Sequence, residues 1–301
     1  MDGRSPERGV TRTTCPVCGG GSASVGVRRS TMSETEFTLA RCVDCRYVFV
    51  RDPRTDFATL YDAAYYSGVG ADSSVNYDAE MADPRSVRNY EWRGIARIVD
   101  ALVGCGPFTR WLDYGSGLGG LVRYVAEHVG CSIVGFEEGW AGRCMAARGV
   151  PHIAREDLAG QAGTFDVVTA IEMIEHTLDP VAVLREIRDL LKPGGTLLLT
   201  TGNAAPHANN LVRWSYTGAP DVHVGFFEPA TLATALDHAG LEVLWPGWVD
   251  GYSDVLRFKV LKALRVHRTS FGEGLLPWGP ITRVVDARHR VSAMPAARRP
   301  A

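Results

Sequence analysis

Several groups of residues in this sequence have the types and spacing to do chemistry. The stretch Ile171–Pro180, IEMIEHTLDP, sets Glu172, Glu175 and His176 at i, i+3 and i+4, which share one face of a helical turn. Two carboxylates and an imidazole on one face can hold a divalent metal or exchange protons; they can equally shape the polar turn between a strand and a helix. Cys15-Pro-Val-Cys18 and Cys42-Val-Asp-Cys45 are two Cys-x2-Cys knuckles. Together they complete a tetrahedral all-thiolate set for a structural zinc, with no position left open for catalysis. Asp113-Tyr-Gly-Ser-Gly-Leu-Gly-Gly120 is a glycine turn that brings backbone close to a ligand. Its spacing departs from the dinucleotide fingerprint G-x-G-x-x-G. Glu137 closes the next apolar run, where a carboxylate takes both hydroxyls of a ribose. Candidate general bases are His176, His207 in TTGNAAPHANN and His223 in DVHVGFFEP.

These groups need elements to hold them. Around the cysteines, SVGVRRS, EFTLARC and RYVFVRDP alternate as β-strands do, so residues 1–52 read as a zinc ribbon whose folding energy comes from the metal. Residues 53–89 form a connector. It has a short helix in TDFATLYDAAYYSG, then a Gly/Asp-rich loop or lid, with Tyr61, Tyr65, Tyr66 and Tyr77 either covering a ligand or packing the ribbon down. From residue 90 to 262 strands alternate with helices: RWLDYG, CSIVGFE, TFDVVTAIE and TLLLTT as strands, with amphipathic helices between them. LEVLWPGWV and DVLRFKV read as two later strands. Such alternation predicts an α/β, doubly wound, mostly parallel sheet covered on both faces, with ligands beyond the carboxyl ends of its strands. Residues 263–301 read as an extension ending in a partly mobile, Arg-rich tail.

In order along the chain, LDYGSGLGG, VGFEE, FDVVTAIEMIEH and LLKPGGTLLLTT resemble the successive motifs of class I S-adenosylmethionine (SAM)-dependent methyltransferases. The resemblance implies a seven-stranded Rossmann-like sheet. It places Asp113, Gly115, Ser116 and Gly117 along the methionine part of SAM, and Glu137 with Glu138 at the ribose. Asp157 falls near the adenine, with Glu156 competing, and Ile171 and Glu172 beside the sulfonium. The ribbon and Tyr-rich connector are similar to those of bacterial sugar and natural-product methyltransferases. Glu-x-x-Glu-His resembles the segment that contributes to a divalent-metal site in ubiquinone-pathway O-methyltransferases. A second metal at Glu172, Glu175 and His176 is therefore an expectation of the resemblance. So is methyl transfer to a small molecule, a hydroxyl of a sugar or secondary metabolite, with His223, His207 or His176 as base and Glu172 beside them. C- or N-methylation, RNA modification and a non-catalytic SAM-binding scaffold are the alternatives.

The bulk numbers fit an ordinary globular protein. The chain has 301 residues, 46% hydrophobic and 22% charged, with a formal net charge of −2. Nothing in that balance draws the whole chain to nucleic acid or an anionic membrane. No apolar run approaches the ~20 residues that span a bilayer, and MDGRSPERGV has no secretory h-region. A cytoplasmic location is the expectation. Cys105, Cys131 and Cys144 read as small buried hydrophobes.

Overall fold

The computed structural model describes residue 9 and residues 11–69 and 76–301. Part of the segment read as a loop or lid, 70–75, lies outside the described residues, as does most of the N-terminal run read for a secretory signal.

The first knuckle precedes an antiparallel meander of β1 (Ser22–Arg29), β2 (Glu36–Cys42) and β3 (Val48–Val50), and the second runs from the end of β2 into the turn before β3. The connector carries three short helices: α1 (Phe57–Leu60), α2 (Ala63–Tyr66) and α3 (Tyr77–Ala82). Asp62 and Asn76 cap the last two, accepting from Tyr65 N at 2.9 Å and Ala79 N at 2.8 Å.

Then comes the alternating unit. It begins with α4 (Arg88–Val103), β4 (Arg110–Tyr114), α5 (Gly120–His128), β5 (Ser132–Phe136) and α6 (Gly139–Ala147). It continues through β6 (His152–Ile153), α7 (Arg155–Leu158), β7 (Phe165–Ile171), α8 (Pro180–Leu190) and β8 (Leu191–Thr200). After a long loop follow β9 (Gly225–Phe226), α9 (Pro229–His238), β10 (Glu242–Leu244) and α10 (Gly251–Ala263). The chain ends with α11 (Phe271–Gly274), α12 (Trp278–His289) and β11 (Ala296–Arg298).

Seven strands make the main sheet in the order β10-β11-β8-β7-β4-β5-β6. From β8 to β6 the pairing is parallel, and β11 is antiparallel to both of its neighbours. The order reverses between β4 and β7, which opens a crevice at their carboxyl ends. One face of the sheet packs Leu112, Val168, Leu184 and Leu197; the other packs Ile98, Trp111, Val122 and Val167. Asp179 caps α8, accepting from Ala182 N, and Pro180 opens it.

Two elements differ from the sequence reading. DVLRFKV is not a strand; it lies inside α10, where Tyr252, Val255, Leu256 and Leu261 are buried at helical spacing. A short apolar run does not by itself separate a helix from a buried strand. A close approach to α4 fixes the helix: a Cβ on Gly94 would sit 2.7 Å from Gly251 O. The missing strand comes instead from the tail. Ala296 and Ala297, 1% and 0% exposed, slot between β8 and β10, with Ala297 opposite Leu197.

The N-terminal sheet also takes a strand from the catalytic unit. β9 adds to β3, pairing Val48 with Phe226 and Phe49 with Gly225. Cys15, Cys42, Tyr47 and Phe49 therefore share one apolar core with Phe227, Leu232 and the main sheet. No helix among the described residues is long and apolar enough to cross a membrane.

Candidate active site

A cavity of about 400 Å³ opens at the carboxyl ends of β4, β5 and β7. Its floor is the turn after β4. Gly115 and Gly117 have φ of +77° and +56°, and a Cβ on Gly115 would meet Met173 Cγ at 2.4 Å, so the turn needs glycine there. Gly117 N donates to Glu137 Oε2 at 2.9 Å, and Glu138 N donates to Oε1 at 2.9 Å. Burial raises the Glu137 carboxyl against the pull of those two N–H groups. Asp113 lies deeper. Its Oδ1 accepts from Thr169 Oγ1 at 2.7 Å, and that hydroxyl accepts from Trp111 Nε1 at 2.9 Å. Burial pushes Asp113 up to about 7, opposed by the Thr169 bond and helped by the charge of Glu137.

The roof is aromatic. Tyr66 stacks on Trp140 at 5.5 Å, and Tyr61, Tyr65 and Tyr77 pack edge to face around it. The tyrosine cluster of the connector thus joins the ribbon side to the cavity and also covers it.

Glu172 and His176 enter from β7. The chain leaves that strand through Glu172 at φ +49°, a left-handed conformation that costs a side-chain-bearing residue about 1 kcal/mol or more. A single 3₁₀ turn, Ile174–His176, follows. That turn sends Glu172 and His176 into the cavity wall and Glu175 inward, where it is fully buried. Tyr216 lies between the two carboxylates. Its hydroxyl bonds to Glu175 Oε1 and sits 3.0 Å from Glu172 Oε2. Lys259 Nζ on α10 reaches Glu172 Oε1 at 3.2 Å. Burial works against ionising Glu172, but Lys259 and the Tyr216 hydroxyl outweigh it and hold the group at about 2. Burial and the Glu172 charge push Glu175 up to about 8. A proton thus rests on Glu175, and the charge rests on Glu172.

The histidines separate into two groups. His176 Nδ1 pairs with Tyr61 Oη at 2.8 Å, and burial, then the neighbouring His223, lowers it to about 3, so the ring is neutral. His223 Nδ1 donates to Tyr216 O at 2.9 Å, its ring stacks on Tyr216 at 4.4 Å, and it meets the His176 ring edge-on at 4.8 Å. Ligand atoms of Glu175, His176 and His223 all lie within 4.8 Å of one another, and Glu175 Oε2 is buried without a hydrogen-bond partner among the described residues. His207 does not join them: it stacks on Trp214 in the following loop, outside the cavity. Asp157, on α7, is exposed and does not line the cavity; Arg155 beside it does, bridging Glu138 and Glu186. Ser116 and Ile171 line the cavity, as expected. Tyr216 and Lys259 were not anticipated as site residues, and Tyr61 was read only as one of the connector tyrosines that cover a ligand or pack the ribbon. Nothing local marked Lys259, which is one of two cations, with Arg257, in the run DVLRFKV.

The four knuckle thiols converge as well. Cys15 Sγ to Cys45 Sγ is 3.6 Å and Cys18 Sγ to Cys42 Sγ is 3.4 Å. A tetrahedron of Zn–S bonds of about 2.3 Å has edges of about 3.8 Å, so the set is of the right size. Backbone N–H groups of Val17 and Cys45 point at Cys15 Sγ and Cys42 Sγ, which suits thiolates. The remaining cysteines, Cys105, Cys131 and Cys144, are half-buried against the apolar clusters.

Strand order, the glycine turn and the carboxylate ending the second parallel strand define a class I SAM-dependent methyltransferase. The Methyltransf_23 profile, described as a methyltransferase domain, matches residues 85–244, and the chain belongs to that family. It is 43% identical over 99 residues to a ubiquinone biosynthesis O-methyltransferase of Xanthomonas axonopodis pv. citri (strain 306), covering 29% of this chain and 40% of the relative. A protein of the same name in Xanthomonas campestris pv. campestris (strain B100) is 57% identical over 54 residues, covering 18% of this chain and 23% of that one. The chain thus spans less than half the length of the curated relatives it matches. In fold it is similar to Haemonchus contortus phosphoethanolamine N-methyltransferase 2 in complex with SAM, with 16% identity and a TM-score of 0.50 over 93% of this chain and 69% of that one.

Proposed function

We propose that this enzyme transfers the SAM methyl group to a hydroxyl of a small molecule, a sugar or a secondary metabolite. The observation that carries this reading is a neutral imidazole, His176, in the wall of the cavity beside the glycine turn, held by Tyr61 and backed by His223. When bound, SAM supplies a methyl carbon already attached to a good leaving group. The chain has to hold the acceptor in line and remove its proton. In this reading Asp113, Gly115, Ser116 and Gly117 face the methionine part of SAM, and Glu137 takes the ribose, with Glu138 at its edge. His176 accepts the acceptor proton, and Glu172, kept ionised by Lys259, faces the positive charge of the cofactor. The four-thiolate set binds zinc as a structural ion.

The cluster of Glu175, His176 and His223 favours a second reading, in which a divalent metal sits there and acidifies the acceptor hydroxyl. Its mixed oxygen and imidazole donors suit Mn or Zn, and Glu175 Oε2 has no hydrogen-bond partner among the described residues.

The test is S-adenosylhomocysteine release with a catechol, a nucleotide sugar and phosphoethanolamine as acceptors. Turnover is expected with a hydroxyl acceptor, and His176→Ala should lower it by about 100-fold with SAM affinity unchanged. Methyl found on nitrogen or carbon alone would overturn O-transfer. For the second reading, elemental analysis of His223→Ala should show about one metal ion per chain where the parent holds about two.

A further inference from the structure

His223 and Tyr216 stand on the loop between β8 and β9, which contains only short 3₁₀ turns. A group outside the catalytic unit fixes this loop. Asp221 is fully buried, two residues before His223. Ser30, itself 3% exposed, donates its hydroxyl to Asp221 Oδ2, and Arg54 Nη1 reaches Oδ1 at 3.5 Å. Arg54 is in turn held by Asp56 through Nε at 2.8 Å and Nη2 at 2.5 Å. The same β1–β2 turn grips the loop a second time: Thr31 N and Oγ1 both donate to Gly218 O, at 2.9 and 3.0 Å. Downstream, Val224 N donates to Glu175 O at 2.8 Å, and Val50 N donates to Val224 O at 2.9 Å. His223 thus lies between two anchors, and residues 30–54 take part in both.

We propose that Asp221 is a positioning residue for methyl transfer, seating the His223 ring against His176 and the Tyr216 hydroxyl against Glu172 and Glu175, through its bond to Ser30 of the N-terminal module. The proposal rests on the O-methyl transfer reading above. A buried carboxylate with a hydroxyl donor and a guanidinium is not needed to close a surface loop. Its cost is recovered only where the geometry it fixes matters. The residue touches neither the cavity nor the glycine turn, so it acts only through the loop. The N-terminal module then has a second task besides folding around a metal: it forms the back of the wall that carries His223.

The test uses the full chain labelled with ¹⁵N-histidine, with Asp221→Ala, Asp221→Asn and Ser30→Ala. Eight histidines keep the imidazole spectrum assignable. In the parent, His223 shows a protected Nδ1–H. In Asp221→Ala and Ser30→Ala that signal is expected to exchange-broaden and the His176 signal to shift, while those of His128, His207 and His238 stay. Asp221→Asn, whose amide oxygen still accepts from Ser30, should restore it. With the hydroxyl acceptor that the parent uses, kcat should fall about tenfold in both alanine variants, with KM for SAM within about twofold. A His223 signal unmoved in Ser30→Ala overturns the proposal even if Asp221→Ala does not fold, as does a shift of all histidine signals together. A displaced His223 with unchanged kcat overturns the positioning role while leaving O-methyl transfer intact. Absence of any hydroxyl turnover in the parent overturns the underlying reading instead, and the imidazole spectra still report whether Asp221 seats the ring.

Discussion

At the scale of single residues, the site is a set of buried ionisable groups whose protons are divided by environment. Glu172 and Glu175 share one tyrosine hydroxyl, yet Lys259 makes the first an anion, and burial with the anion beside it makes the second an acid. Asp113 has a different consequence. Its ordinary value of 3.8 is raised to about 7, so near neutrality much of it is protonated in the free protein. On the proposed placement, SAM brings a cation to this carboxyl, and a cation favours the ionised form. Binding below pH 7 must then expel a proton, so affinity should rise with pH by up to about tenfold per unit and level off above about pH 7. Glu137, also raised by burial, adds an effect of the same sign where ribose hydroxyls donate to its ionised form. Calorimetric titration of SAM across this range checks it. Asp113→Asn should bind more weakly at high pH and show a distinctly shallower slope, whereas an unchanged slope would remove Asp113 from the cofactor site.

At the scale of elements, the informative piece is β9, a strand of only two residues that joins the ribbon sheet to the loop carrying Tyr216 and His223. Gly225 makes the pairing possible, because a Cβ there would lie 1.9 Å from the buried Tyr47 Oη. Gly225→Ala should therefore push β9 off β3 or displace Tyr47, at a cost of about 1–3 kcal/mol in urea unfolding. Turnover should fall further than SAM affinity does, because the displaced strand leads directly from His223. Equal stability for the parent and Gly225→Ala would show that the pairing is slack. This pairing also marks how far the sequence was legible. Runs such as RWLDY and FDVVTAI are buried on both faces, and their β-branched and large apolar residues declare the parallel strands directly. The glycine turn was legible because its backbone geometry demands glycine, and Glu137 because a carboxylate closing the next apolar run suits a ribose. β9 and β11 carry no local signal: Gly-Phe and Ala-Ala-Arg become strands only because an edge is waiting for them. Tyr216, Lys259 and Asp221 were hidden for the same reason. Their roles depend on contacts with residues far away in the chain, and nothing at their own positions encodes those contacts.

At the scale of the whole molecule, the question is whether the cysteine module and the catalytic unit fold as two bodies or one. Thr231 Oγ1 on α9 donates to Cys45 O at 2.9 Å, His238 Nδ1 is 3.0 Å from Val17 O, and Arg12 Nη2 donates to Leu178 O at 2.8 Å. Arg46 pairs with Glu228, at the start of α9, through Nε and Nη2, each at 3.2 Å. These contacts surround the continuous core in which Cys15, Cys42, Tyr47 and Phe49 meet Phe227, Leu232 and Leu236. A module so small cannot supply its own folding energy, so if the four thiols hold the proposed zinc, the module without that ion depends on the shared surface. Removing the proposed zinc would then withdraw support from α9 and β9 as well as from the knuckles. Scanning calorimetry of the parent should show one cooperative transition. Chelation should move that single transition down by several degrees rather than detach a separate low-temperature peak. Two resolved transitions, with only the lower one sensitive to chelator, would show that the ribbon melts on its own and that the catalytic wall stands without it.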